Sequence, residues 1–428
     1  MQLSPEYWIE KTENPGETLR GPEWIAAFNA RAFDIDLHLV DLSTYPDQVS
    51  GQELDGLIRS ISNPHGSELF YRDEPDARRL EEADYQRYRD GLALENIPET
   101  VDVRFGLVLE RSNMRSWPTR DFVIRSPDTR DLDRFQENGL FPGELVVVLH
   151  ESADGNWWFV RSYNYHAWIR KVRIVLGPRQ EILDYAGTAQ FLVVTGSKAT
   201  TNFNPVDPGI SELQLDMGVR LPLIDPDELP DHVDGQNPMA SYAVRLPVRL
   251  EDGRLGFKTV LVGRGQDVRQ GYLPYTRENI IRQAFKFLGE RYGWGHSYNA
   301  RDCTGLVLDV YKSMGINLPR NSSQQGESLI GENIFFEQGA TDQDRFEALA
   351  DAGAGDLLYS PGHVMMYLGV DGGEPYVIHD MSGSGWVDKN GDPIDGIMNG
   401  VAVTPLVSTK MTPELTYFET LYAIKKIR

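Results

Sequence analysis

The spacing of apolar residues changes character along the chain. Over the first hundred residues it is helical. "GPEWIAAFNARAF" sets Trp24, Ile25 and Phe28 on one face behind Pro22, a residue suited to the first helical position. "SGQELDGLIRSI" opens with Ser50 and Glu53 at capping-box spacing, ahead of Leu54, Leu57, Ile58 and Ile61. Near residue 100 the period falls to two. In "VDVRFGLVLE", Val101, Val103, Phe105, Leu107 and Leu109 alternate, which predicts a half-buried strand. "ELVVVLHESADGNWWFVRSYNYHAWI" then reads as two strands about a turn at Asp154 and Gly155.

A second β stretch follows "GPRQ". Val244, Leu246, Val248 and Leu250 alternate, the chain turns at Asp252 and Gly253, and the pattern resumes at Leu255 and Phe257. Two consecutive β stretches of this size predict two small barrels, because closing a sheet is how a small β domain avoids exposed edges. From about residue 275 the pattern mixes helix and strand. Thr276 caps a helix with Ile280, Ile281, Ala284, Phe285 and Leu288 on one face. Another helix runs through Leu306, Val307, Val310, Tyr311 and Met314 and stops at Gly315. Strands are predicted in "GDLLYSPGHVMMYLGV" and "PYVIHD". The expected organisation is a mainly helical segment at 1–98, barrels at 99–176 and 177–270, and a mixed α and β domain at 271–428.

Composition narrows the function without naming it. With 428 residues, 40% hydrophobic and 25% charged, the chain is a globular multi-domain protein. Its 64 acidic against 42 basic residues, a net charge of -22, oppose binding to nucleic acid or to an anionic membrane. No run approaches the roughly 18 apolar residues of a membrane helix, and the N-terminus has no basic segment followed by an apolar one. The expectation is a cytoplasmic protein, or a periplasmic or envelope one whose signal has been removed.

The single cysteine changes the picture. Cys303, in "RDCTGLVLDVYKSMG", falls in the first turn of the predicted helix, where backbone N–H groups favour a thiolate and can hold an oxyanion. His363 begins one predicted strand and His379 ends the next, with "DGGE" between them, so a hairpin lays the two imidazoles side by side. A nucleophile, a base and a group orienting the base make a triad.

"YGWGHSYNARDCTGLVLDVYKSMGINLPRNSSQQ", "GDLLYSPGHVMMYLG" and "YVIHD" together resemble the NlpC/P60 cysteine peptidases. "GLVLERSNMRSWPT" and the segment from Asp133 to Ile169 resemble the branch in which a helical segment and two bacterial SH3-like barrels precede the peptidase. The resemblance implies a papain-like α+β domain that acts on bacterial cell-wall peptides without a metal or cofactor. It implies Cys303 as nucleophile, His363 as base, His379 as third member and Tyr292 beside the oxyanion. It implies that Asp302 binds a free substrate amine, consistent with what a carboxylate beside the nucleophile does to an ammonium. Tyr165, chosen over Tyr163, is the matching barrel tyrosine, and Asn321 with Ser322 lines the D-glutamyl site. The implied substrates are stem peptides, L-Ala-γ-D-Glu followed by diaminopimelate or lysine, cut after glutamate. The chain departs from the family at Thr304 for serine, His296 for glycine and Asn321 for aspartate.

Other signals carry less. "DKNGD" at 388–392 has calcium-loop spacing, but Pro393 and Asn399 stand where glycine and glutamate are needed. His38, His65, His150, His166 and His232 show no metal-ligand spacing, Trp157 and Trp158 alternate across a strand, and "MSGSGW" lacks the context of a phosphate loop. The alternatives to a peptidase are a wall-binding scaffold with a weak or inactive catalytic domain, and an amidase or acyltransferase using the same thioester.

Overall fold

The computed structural model describes the whole chain except residues 65, 67, 74–76, 129, 338, 384, 385, 388–392 and 395–397, and the side chains at 386, 387, 393 and 394. His65 and the "DKNGD" stretch therefore lie outside the described residues.

The N-terminal helices are α1 (Pro5–Lys11), α2 (Pro22–Ile35), α3 (Gly51–Ile61) and α4 (Glu82–Gly91). Pro22 takes the first position of α2, and the Ser50 hydroxyl accepts the Glu53 N–H to start α3. Among the described residues this segment forms no core of its own, contrary to a separate unit at 1–98. Trp8, Phe28 and Ala32 join the core of the C-terminal domain, whereas Leu54, Ile58 and Tyr88 join that of the first barrel. A fully buried leucine or isoleucine such as Leu54 or Ile58 contributes roughly 1.5–3 kcal/mol, so α3 is held by the barrel it covers.

The barrel is a seven-stranded antiparallel sheet. In order across the sheet its strands are Ile174–Leu176, Arg104–Val108, Leu145–Glu151, Trp157–Arg161, His166–Arg170, Ser112–Arg115 and Gln136–Leu140. Both of its faces are buried. Phe105, Leu107, Trp157 and Phe159 pack under the helices, and Val108, Val146, Trp158 and Val160 pack on the other side. The expected half-buried strand at 101–109 is therefore apolar on consecutive positions: Leu107 faces the core shared with α3 and α4, and Val108 faces the barrel core of Val146, Trp158 and Val160.

After α5 (Arg179–Gly187) comes the second β unit. Its strands form three ladders, Arg220–Pro222 with Phe191–Val194 and Val268–Gln270, Lys198–Thr200 with Gln214–Asp216, and the hairpin Ser241–Arg249 with Leu255–Gly263, joined by the Leu223–Val244 bridge and by the Asn202 N–H donating to the Leu261 carbonyl. They share one core that includes Leu192, Leu215, Val244 and Val262. The connections 201–213 and 223–240 are rich in Asp, Asn and Pro, residues suited to turns.

The C-terminal domain packs α6 (Arg277–Phe285) and α7 (Cys303–Lys312) on a six-stranded antiparallel sheet. Its order is Glu332–Phe335, Ala423–Lys426, Leu357–Ser360, His363–Asp371, Glu374–Met381 and Gly400–Pro405. Two further helices, α8 (Ser322–Glu327) and α9 (Asp342–Ala350), complete it. Among the described residues no helix is long and apolar enough to cross a membrane.

Candidate active site

Cys303 is the first residue of α7 because Asp302 caps that helix: its Oδ1 accepts the Gly305 N–H at 2.8 Å and the Thr304 hydroxyl at 3.0 Å. Thr304 thus uses the hydroxyl it shares with serine. The cysteine side chain packs beneath the strand that starts at His363. Burial pushes its thiol up to about 12, the Asp302 charge adds to this, and the Val364 backbone N–H acts in the opposite sense.

The hairpin brings His363 and His379 together. His363 Nε2 lies 2.8 Å from His379 Nδ1, and His379 Nε2 lies 2.9 Å from the Thr404 hydroxyl. The contact with His379 engages Nε2 of His363 and leaves Nδ1 as its other ring nitrogen. Tyr417 covers both rings, at 4.9 Å and 5.5 Å between centroids. Burial lowers His363 to about 3 and His379 well below the ordinary histidine range. Burial thus favours the uncharged forms of both groups, the thiol and the imidazole. The Tyr292 phenol is buried in the field of Cys303 and Asp302, with burial the larger cause of its raised pKa.

Asp302 differs from its expected role. Its Oδ2 accepts the Gly295 N–H at 3.0 Å and Arg320 Nη2 at 2.6 Å, and its Oδ1 also accepts Arg320 Nη1 at 3.2 Å. With five donors on two oxygens, the carboxylate has no capacity left for a substrate ammonium. Arg320 reaches on to the barrel, donating to Asn138 Oδ1 at 2.6 Å. His296, the residue in place of glycine, sits at φ 68° with its ring 5.4 Å from that of Phe141 on the barrel, and so fills the joint between the two domains.

Of the two barrel tyrosines, Tyr165 faces this end of the site. Its hydroxyl donates to Glu137 Oε2 at 2.6 Å and its side chain also meets Asn321. Tyr163 packs against the C-terminal core instead. Asn321 caps α8 and Ser322 begins it, immediately after Arg320, so both lie at the same end as Tyr165. Glu137 is half-buried, and burial raises its carboxyl to about 7 against the lowering effects of the Tyr165 hydrogen bond and the Arg320 charge.

Sequence reasoning missed Glu137, Arg320, Thr404 and Tyr417. Glu137 had one local signal, an acid inside the otherwise neutral strand "QENGL". Among the described residues no group of three or more His, Cys, Asp or Glu side chains is arranged to hold a metal.

The NlpC/P60 family model matches residues 289–397, which contain Cys303, His363 and His379. The chain carries an NlpC/P60 peptidase domain. An SH3 domain of the SH3b1 type matches residues 124–170, within the barrel. The chain is 26% identical over 248 residues to a γ-D-glutamyl-L-lysine dipeptidyl-peptidase of Bacillus cereus, covering 54% of this chain and 68% of that protein. Its fold is similar to an NlpC/P60 endopeptidase from Photobacterium damselae subsp. piscicida, with a TM-score of 0.74 at 15% identity over 96% of this chain and 94% of the other. It is also similar to an NlpC/P60 family protein from Bacillus cereus, with a TM-score of 0.50 at 20% identity over 76% and 99%. The first fold match spans the helical segment, both β units and the NlpC/P60 domain, so the order of units is shared and not only the peptidase domain.

Proposed function

We propose that this NlpC/P60 protein is a cysteine peptidase that cuts bacterial cell-wall stem peptides between γ-D-glutamate and the diamino acid, and that it takes peptides with a free N-terminal L-alanine. The observation that carries this reading is the pairing of the Cys303, His363 and His379 line with a barrel wall, Glu137 and Tyr165, at one end of the site. The Bacillus cereus relative is a γ-D-glutamyl-L-lysine dipeptidyl-peptidase, which agrees with a barrel wall at one end of the site.

In the proposed reaction the Cys303 sulfur attacks the γ-carbonyl while its proton passes to His363 Nδ1. The oxyanion forms beside the Cys303 N–H and the Tyr292 phenol. Collapse breaks the C–N bond, His363 returns the proton to the leaving diamino-acid amine, and water then hydrolyses the thioester. His379, held by Thr404, keeps the His363 ring oriented. The substrate ammonium pairs with Glu137, because Asp302 is committed to Arg320. Asn321 and Ser322 line the glutamyl unit.

The test is mass spectrometry of L-Ala-γ-D-Glu-meso-diaminopimelate, its lysine counterpart and their N-acetylated forms, incubated with wild type and Cys303→Ala. Release of L-Ala-D-Glu from the free-amine peptides, by wild type only, is expected. Cleavage of the acetylated forms at equal rate rejects the amine preference, and no cleavage of any peptide favours the wall-binding scaffold.

A further inference from the structure

The segment leading into the nucleophile is held in an unusual backbone path. Gly295, His296, Tyr298 and Asn299 have φ of 58°, 68°, 57° and 60°, and three of the four carry side chains that disfavour such values. Conformations of this kind persist where neighbours over-determine them. Here the neighbours come from both β units.

From the barrel, Gln136 Nε2 donates to the Gly295 carbonyl at 2.7 Å and Arg111 donates to the Ala300 carbonyl at 2.9 Å. From the second unit, the side-chain amides of Gln214 and Asn299 exchange two hydrogen bonds at 2.6 Å. Arg301, fully buried two residues before Cys303, donates to the Ser197 carbonyl at 3.0 Å and to Asp216 at 3.3 Å. Asp216 is itself fully buried and also accepts from Arg111 at 3.4 Å. One carboxylate of the second unit therefore gathers Arg111, which grips residue 300, and Arg301 itself. Arg301 keeps two acidic partners in its own domain, Asp309 at 2.5 Å and Glu290 at 2.6 Å. Its charge balance does not require Asp216, so the Asp216 contact is left as a geometric tie between units.

We infer that Asp216 is a positioning residue for the nucleophile: by holding Arg301 and Arg111 it sets the path of residues 299–302 and with it the place of the Cys303 thiol. The second β unit is then part of the active-site scaffold and not only a tether. Small displacements of a reacting group cost large factors in rate, because the near-attack geometry is lost while substrate contacts elsewhere remain.

This inference rests on Cys303 being the nucleophile of the proposed reaction. It is tested with full-length Asp216→Asn and Gln214→Ala, each checked for folding by circular dichroism and thermal melting. Two readouts are taken: the pH profile of Cys303 alkylation by iodoacetamide, followed by intact mass, and kcat and KM on the free-amine tripeptide. Asp216→Asn is expected to shift the alkylation profile and lower kcat roughly 10- to 100-fold with KM little changed, and Gln214→Ala to do the same more weakly. Wild-type alkylation and kcat in folded Asp216→Asn overturn the inference, and if that variant does not fold, a wild-type Gln214→Ala does so. A shifted alkylation profile with no tripeptide cleavage by wild type upholds the positioning role and rejects the proposed substrate.

Discussion

Arg320 and Asp302 are joined by two hydrogen bonds, at 2.6 Å and 3.2 Å, inside the joint between the barrel and the peptidase domain. The pair is buried on both sides, so removing one partner strands the other's charge. Arg320→Ala is expected to lose about 3–5 kcal/mol of stability, measured by urea unfolding at pH 7. Arg320 and the backbone donors outweigh burial and hold the Asp302 carboxyl well below its ordinary 3.8. Its contribution is therefore complete above about pH 4 and is lost as pH falls through the lower folded value. Wild-type stability in Arg320→Ala would sink this account of the joint.

Glu137 provides a second pH signature, with the opposite sign. Its carboxyl rises from 4.5 to about 7 in the folded protein, so stability declines as pH climbs through that window, and the anion needed to bind an ammonium is formed only at its upper end. KM for the free-amine tripeptide is expected to fall between pH 6 and 8, and Glu137→Gln to raise KM and flatten that dependence. An unchanged KM profile in Glu137→Gln would remove Glu137 from amine binding.

The third prediction concerns Thr404, whose hydroxyl meets His379 Nε2 at 2.9 Å. In Thr404→Val the nitrogen is left buried without a partner, a penalty of about 1–3 kcal/mol that falls on the orientation of His379 and, through it, of His363. The expected result is a lower kcat with KM retained, and recovery in Thr404→Ser. A valine variant as active as wild type would show that His379 needs no fourth group.

Asp380 follows His379 in the chain, yet among the described residues both of its buried carboxylate oxygens lack a hydrogen-bond donor. Burial, helped by the charges of Asp302 and Glu290, raises its pKa well above 3.8. The folded protein thus keeps a proton that the unfolded chain releases, and stability falls by up to about 1.4 kcal/mol per pH unit above 3.8 until the folded group ionises. Asp380→Asn removes that slope. Its stability advantage over wild type, from urea unfolding, is expected to grow from pH 5 to pH 8, and an advantage that does not change with pH would contradict the assignment.

Much of the site was legible where its cause is local. The start of α7 at Cys303 follows from Asp302 as a cap, and its end from Gly315, whose φ is 83°. The meeting of His363 and His379 follows from hairpin arithmetic across "DGGE". The Thr276 cap and the buried face of α6 were readable in the same way. What failed was a matter of partners. The alternation at 101–109 suggested one wet face, yet Val108 on that face is buried against Val146, Trp158 and Val160 of the barrel, and Asp302 looked free for substrate until Arg320, eighteen residues on, took it.

The sequence by itself determined most of the elements, the place of Cys303 at a helix start and the meeting of His363 with His379, because caps, periods and hairpins act over a few residues. Only the tertiary structure decided where the N-terminal helices bury their faces, that Glu137 stands beside Tyr165, and that Asp216 reaches the residue two before Cys303. Those contacts join residues 28 to more than 200 positions apart, and their strength comes from excluding water around charges. Burial of that kind has no signature in any short stretch of sequence, since it is a property of the surfaces brought together by folding.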